Sequence, residues 1–113
     1  MMKDSLHMTD DDRAVIIQFC RSCPESQIVI THGTDTMELT AKTLGEAGIS
    51  KSIVLTGAMI PYKFGSSDGL FNLGSALSFA QTLPAGVFIA MNGRIFPWNK
   101  VVKNRRKGEF QSN

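Results

Sequence analysis

Apolar residues fall along this chain in blocks that switch between two periods. Val15, Ile16, Phe19 and Cys20 recur at helical spacing behind Thr9-Asp10-Asp11-Asp12. Thr9 can cap such a helix, Asp12 makes a weaker version of the capping box, and the acidic residues suit the positive end of the helix dipole. Pro24 stops the element, so the pattern predicts a helix from Thr9 to about Cys20. Ile28–Thr31 then reads as a short buried strand. Met37, Leu39, Thr40, Ala41 and Leu44 return to the helical period, and Gly48 supplies the C-terminal break. Ser52–Thr56 ("SIVLT") is a second buried strand, and "GAMIPYKFGSSDG" is a loop. Ser67 or Asp68 can cap a third helix with Leu70, Leu73, Leu77 and Ala80 as its inner face, ended by Pro84. Gly86–Met91 is a third buried strand. Asn92-Gly93 is a turn, and Arg94-Ile95-Phe96 reads as a short return strand.

Strands that are apolar throughout, joined by helices, mean a parallel sheet covered on both faces with right-handed crossovers. The fold class expected is therefore α/β, an open parallel sheet with helices on both sides. At 113 residues the natural count is one domain, with neither internal repeat nor linker.

Composition narrows the functional classes. No apolar run approaches the ~18 residues needed to span a bilayer. The opening "MMKDSLHMTDDDR" has no apolar core of a secretory signal, so a cytoplasmic protein is expected. The net charge of +2 is too small to point to nucleic acid. The charge is uneven, however, with Lys100, Lys103, Arg105, Arg106 and Lys107 crowding the end. That run reads as a solvated tail, as a nucleic-acid patch without the aromatic residues that usually accompany one, or as the source of one site lysine. Cys20-Arg-Ser-Cys23 is a lone C-x-x-C, half a metal site with no second pair. It falls at the end of a helical pattern, not at a start where a thiolate is stabilised, and reads as structural or incidental thiols. No metal cluster or cofactor motif is visible, and no cofactor is expected.

The chemistry concentrates in "QIVITHGTDTMELTAKTL", Gln27 to Leu44. In open parallel sheets, ligands bind beyond the carboxyl ends of the strands. His32-Gly33-Thr34-Asp35-Thr36, Thr56-Gly57-Ala58-Met59 and Met91-Asn92-Gly93 all emerge there. Gly33 lets a ligand approach the backbone, and the helix starting near Thr36 aims free N–H groups at the same spot. Thr34 offers a hydroxyl, and Asp35 a charge that could hold an ammonium group. The competing reading is structural, with Asp35 or Thr36 serving only as helix N-caps. No phosphate-binding glycine motif is present, so nucleotide binding has little support.

"ITHGTDTMELTA" resembles the second signature motif of the bacterial-type L-asparaginases. "DSLHMTDDD" is similar to the segment preceding that motif's helix. "VLTGAMIP" with "SSDGLFNLGSAL" resembles the next strand, loop and helix, and "GVFIAMNGRIF" with "VVKNRR" the strand and lysine segment after it. The resemblance covers nearly the whole chain in order and implies one Rossmann-like domain over 1–113 of the asparaginase N-terminal type. That family hydrolyses the side-chain amide of asparagine through an acyl-enzyme. The resemblance implies that Thr34 is the second catalytic threonine. Asp35 would accept from the substrate α-ammonium group, and Lys103 would complete a polar triad that lowers the proton affinity of the Thr34 hydroxyl. Ser5 would hold the α-carboxylate, although its place near the start also fits a mobile terminus. The Gly33–Thr34 backbone and the Ala58 carbonyl region would frame the substrate. A threonine hydroxyl is a weak nucleophile or proton relay by itself, which is why such neighbours are needed. His32 and Met59 position backbone at most, and the Asp68–Asn72 pair reads as helix capping and packing.

One departure matters. The family's earlier Thr-Gly-Gly-Thr-Ile motif, whose first threonine is the primary nucleophile, has no counterpart in this sequence. The domain is thus expected to be N-terminally incomplete, with an open sheet edge that invites pairing with another chain. The expected function is an amidohydrolase converting L-asparagine to L-aspartate and ammonia, inactive without that nucleophile. The alternative is a non-catalytic small amino-acid binding module or pseudoenzyme. A small-molecule substrate and further copies of the chain are the expected partners, and neither nucleic acid nor membrane is.

Overall fold

A computed structural model of the chain describes residues 7–60 and 67–113. Ser5 and positions 61–66 of the predicted loop lie outside the described residues. The first helix, α1, spans Asp10–Ser22, two residues beyond the expected end. Its capping box forms, with Asp12 N donating to Thr9 Oγ1 and Thr9 N donating to Asp12 Oδ2. Then follow β1 (Gln27–Thr31), α2 (Met37–Glu46), β2 (Ser52–Thr56), α3 (Gly69–Thr82) and β3 (Gly86–Met91). β4 (Arg94–Pro97), β5 (Val102–Asn104) and β6 (Glu109–Gln111) complete the chain. Gly48 follows α2 at φ 66°, the left-handed position that favours glycine there.

β1, β2 and β3 pair in parallel, in the order β1-β2-β3-β4. β4 returns antiparallel through Asn92 and Gly93, both at positive φ, as a two-residue hairpin requires. The sheet is therefore mixed at one edge and parallel through the rest. β2 lies between two strands and is buried at every position. β1 is less buried than its apolar sequence predicts, because among the described residues it pairs with β2 alone.

The two sheet faces carry different cores. Ile28, Ile53, Leu55, Val87, Ile89 and Met91 point to one face and pack with Cys20 of α1 and Met37, Ala41 and Leu44 of α2. Val54 and Ala90 point to the other and pack with Ala76 and Ala80 of α3. This is the two-sided α/β arrangement that the sequence predicts.

Two helix faces differ from expectation. On α1, Val15 and Phe19 are exposed, whereas Ile16, Ile17 and Cys20 join the core and Arg13 is buried. Among the described residues no strand pairs with the outer edge of β1 to cover Val15 and Phe19. They line instead an apolar groove of about 360 Å³ that runs along Ile28–Gly33. On α3, Leu70 and Leu77 are exposed, and the inward face is Asn72, Ala76 and Ala80. The helix sits close to β2 and β3, so small residues face the sheet, and one polar side chain is taken inside to bind backbone.

The basic C-terminal stretch is an ordered hairpin and not a solvated tail. β5 and β6 pair antiparallel, with Lys103 opposite Phe110. Phe110 is buried in the main core, as is Val101. The turn is closed by Lys107 N donating to Asn104 Oδ1, with Gly108 at φ 65°.

Candidate functional site

Beyond the carboxyl ends of β1, β2 and β3 lies an open cleft of about 880 Å³. Gly33, Thr34, Asp35 and Ala58 line one part of it, and Lys103 and Arg105 another. The Lys103 ammonium donates to Thr34 Oγ1 at 3.0 Å and lies 3.1 Å from Asp35 Oδ1. The Lys103 side chain is only 9% exposed, whereas Asp35 is 40% exposed, so part of its carboxylate stays open to solvent in the cleft. The capping alternative for this segment does not hold. Thr36 occupies the N-cap position of α2 without a side-chain cap hydrogen bond, and the Asp35 carboxylate is committed to Lys103.

Lys103 reaches this spot because β5 is clamped to the first turn of α2. Glu38 Oε2 accepts from Lys103 N at 3.0 Å. Glu38 Oε1 also lies 4.0 Å from Arg105 Nη1, and Arg105 Nη2 donates to the Asp35 carbonyl at 2.7 Å. Glu38 holds the backbone of the lysine while Arg105 holds the backbone of the aspartate. Phe110, across the hairpin from Lys103, anchors the strand in the core. Neither Glu38 nor Arg105 is legible as a site residue in the sequence, since their contacts span 65 and 70 positions.

The opposite wall is organised by Asn72, which is fully buried on α3. Its Nδ2 donates to the Gly57 carbonyl at 2.8 Å and to Asp68 Oδ2 at 2.9 Å, and its Oδ1 accepts from Asn92 N at 2.9 Å. One carboxamide thereby joins the loop after β2 to the turn after β3. Asp68 accepts from Met59 N and Ile60 N and fastens the same loop beside Ala58. The expected packing holds, with Asn72 buried, but the Asp68 side chain makes no cap bond to α3, and Ser67 Oγ accepts from Gly69 N instead. Burial pushes the Asp68 carboxyl up, yet hydrogen bonds from Ile60 N, Met59 N and Asn72 outweigh it and hold the group below the ordinary value of 3.8.

His32 secures the loop that presents Thr34. Arg13 Nε donates to Thr40 Oγ1 at 2.9 Å, Thr40 Oγ1 lies 2.8 Å from His32 Nε2, and His32 Nδ1 lies 2.6 Å from the Gly33 carbonyl. A carbonyl only accepts, so Nδ1 carries a proton, and Thr40 Oγ1 can donate to Nε2 of a neutral ring or accept from it when the ring is charged. Burial lowers the His32 pKa below 6.5, Arg13 adds to that, and the Gly33 hydrogen bond opposes both. A side chain at Gly57 would collide with the His32 carbonyl, so the loops after β1 and β2 are in close contact.

Of the residues expected at the site, Gly33, Thr34, Asp35, Ala58 and Lys103 share one cleft, and Ser5 lies outside the described residues. Arg13, Glu38, Thr40, Asn72 and Arg105 were not anticipated in these supporting positions. Among the described residues no group of three or more His, Cys, Asp or Glu could hold a metal ion. The arrangement offers a hydroxyl beside an ammonium, a half-open carboxylate, and a basic wall extending to Lys107.

Comparison with known proteins places this geometry. A family model described as asparaginase, N-terminal, matches residues 1–112. The chain is 46% identical to a glutaminase-asparaginase of Acinetobacter glutaminasificans over 80 residues, covering 67% of this chain and 24% of that protein. It is 33% identical to L-asparaginase 1 of Escherichia coli K12 over 112 residues, covering 95% of this chain and 33% of that protein. The thermostable L-asparaginase of Thermococcus kodakarensis superposes with a TM-score of 0.91 at 31% identity, covering 99% of this chain and 36% of that one. A probable cytoplasmic L-asparaginase from Campylobacter jejuni superposes with a TM-score of 0.88 at 34% identity, over 97% of this chain and 37% of that one. The chain spans about a quarter to a third of the length of these curated relatives. With the family's N-terminal model matching residues 1–112 and the fold superposing along almost its full length, the chain belongs to the bacterial-type L-asparaginase family.

Proposed function

We propose that the cleft is the amide-hydrolysing half of an L-asparaginase-type site, acting on L-asparagine to give L-aspartate and ammonia. The observation that carries this reading is the Lys103 ammonium held between Thr34 Oγ1 and Asp35 at the mouth of the sheet. A cation 3.0 Å from a hydroxyl oxygen stabilises the alkoxide and lowers the cost of moving the Thr34 proton. The exposed part of the Asp35 carboxylate suits a substrate ammonium group, and the Gly33 and Ala58 backbones flank the space between. Ser5 is assigned the substrate carboxylate from the family resemblance alone. The unit is one domain over 1–113 that works within a homo-oligomer, a reading supported by the exposed apolar Leu70, Phe71 and Leu77. A cytoplasmic location follows the Campylobacter protein, whereas a Haemophilus influenzae relative is described as periplasmic. No described helix is long and apolar enough to cross a membrane.

The test is ammonia release from L-asparagine by the chain carrying the family's Thr-Gly-Gly-Thr segment at its N-terminus. Thr34→Ala and Lys103→Met should each lower kcat by about 10²-fold or more. Absence of release from the extended chain, or unchanged kcat in both variants, overturns the catalytic reading. The second reading, a binding module for a small amino acid, is favoured by the balance of carboxylate and cations around the cleft, which needs no nucleophile. It predicts calorimetric heat with L-aspartate and the 113-residue chain, weakened in Asp35→Ala.

A further inference from the structure

The C-x-x-C that the cleft leaves unused lies on the far side of the core, at the carboxyl end of α1. Its position alone argues against reactivity, because the negative end of a helix disfavours a thiolate. Tertiary structure changes that environment. Lys51, which precedes β2, brings its ammonium to the end of α1. It donates to the Cys20 carbonyl at 2.6 Å and the Cys23 carbonyl at 2.5 Å, and its nitrogen lies 3.6 Å from Cys23 Sγ. Among the described residues no carboxylate lies within ion-pair distance of Lys51. Among the described residues its charge is met by two carbonyls and a sulfur.

The two thiols differ in access. Cys23 is partly exposed and donates weakly to the Cys20 and Glu25 carbonyls at 3.7 and 3.9 Å. Cys20 is fully buried in the main core, and burial, then the neighbouring Cys23, pushes its thiol pKa up. Cys23 still follows the helical register, since its N–H donates to the Phe19 carbonyl at 3.0 Å. Residues three apart on a helix have Cα atoms about 5 Å apart, inside the ~4.4–6.8 Å range of disulfides.

We propose that Cys23, Lys51 and Cys20 form a thiol-oxidation site for small hydroperoxides, in which Cys23 is oxidised first and Cys20 closes an intrachain disulfide. The Cys23 sulfur, beside the Lys51 ammonium, gives up its proton and attacks the outer peroxide oxygen. An S–O bond forms as the O–O bond breaks. The departing hydroxide takes a proton and leaves as water when the oxidant is hydrogen peroxide, and Cys23 becomes a sulfenic acid. The Cys20 sulfur then attacks the Cys23 sulfur, the S–O bond breaks, and hydroxide leaves with the Cys20 proton as a second water. The pair of thiols is oxidised by two electrons and the peroxide is reduced by two.

The full chain is treated with hydrogen peroxide, free thiols are alkylated after denaturation, and intact and peptide masses are read. Wild type should lose both alkylation sites together, with a Cys20–Cys23 disulfide peptide. Cys20→Ser should trap a dimedone adduct on Cys23. Lys51→Met should slow oxidation about tenfold, and Lys51→Arg should restore most of the rate. Unfolding the wild-type chain in urea should remove the advantage of Cys23 over Cys20, a comparison that needs no variant to fold. Equal oxidation rates for wild type and Lys51→Met, dimedone capture on Cys20 in preference to Cys23, or equal reactivity of the two thiols in the folded chain would each overturn the proposal.

Discussion

Removal of the Asn72 carboxamide is the sharpest test of how this cleft is built. Asn72→Ala deletes three hydrogen bonds of 2.8 to 2.9 Å from a side chain with no exposed surface. Each such bond is worth about 1 kcal/mol net, and partners left buried without water cost more. The Gly57 carbonyl and the Asn92 N–H both lose their side-chain partner, which puts the expected loss at about 3 to 4 kcal/mol once the small cavity is included. Against a typical total of about 5 to 15 kcal/mol, the variant should be visibly destabilised. The assay is urea unfolding of wild type, Asn72→Ala, Asp68→Ala and the double variant. Asp68→Ala should cost less, about 1 to 2 kcal/mol, because its loop partners are closer to solvent. The two sites share a bond, so their effects should be less than additive by about 1 kcal/mol. If Asn72→Ala costs under about 1 kcal/mol, or the two losses simply add, the carboxamide does not tie the loops together.

Three further predictions concern other links in the structure. Phe110→Ala should cost about 3 to 5 kcal/mol and, by freeing β5, make the Lys103 amine more reactive towards an amine-selective acylating reagent than in wild type. His32 predicts a pH dependence with a defined sign: burial lowers its folded pKa below the ordinary 6.5, so its contribution is fully present above pH 6.5 and is lost as pH falls from there through the folded value, and His32→Gln should flatten that slope in urea midpoints read from pH 7 to pH 5. Ser52 Oγ is buried and, among the described residues, has no hydrogen-bond partner, so Ser52→Ala should leave stability unchanged or raise it by about 1 kcal/mol, and a clear loss in thermal unfolding would contradict this assignment.

Much of the fold is local and was legible in the sequence. Short continuous apolar runs, Thr9 with Asp12, Gly48 and Asn92-Gly93 act over a few residues, and each formed the element its chemistry predicts. The grouping of Gly33, Thr34, Asp35 and Ala58 followed from strand polarity, because loops leaving the carboxyl ends of parallel strands must meet. What could not be read locally was decided by neighbours distant in sequence. The leucines of α3 turned outward because the helix lies too close to the sheet for large side chains and takes Asn72 inward to satisfy backbone. Val15 and Phe19 stayed exposed because, among the described residues, no strand pairs with the outer edge of β1.

The basic run at the end shows the division most clearly. Its composition is that of a solvated tail, and composition holds no information about which lysine is buried. Phe110 entering the core, Glu38 accepting the Lys103 N–H, and a turn closed at Asn104 together made a hairpin and brought one ammonium to Thr34. The same holds for Lys51 beside Cys23 and for Arg13 behind Thr40 and His32. The residue types and local elements belong to the sequence. The pairing of charges with the groups they serve belongs to the tertiary structure, because electrostatic and hydrogen-bond partners are chosen by distance in space, and a chain reveals that distance only when it is packed.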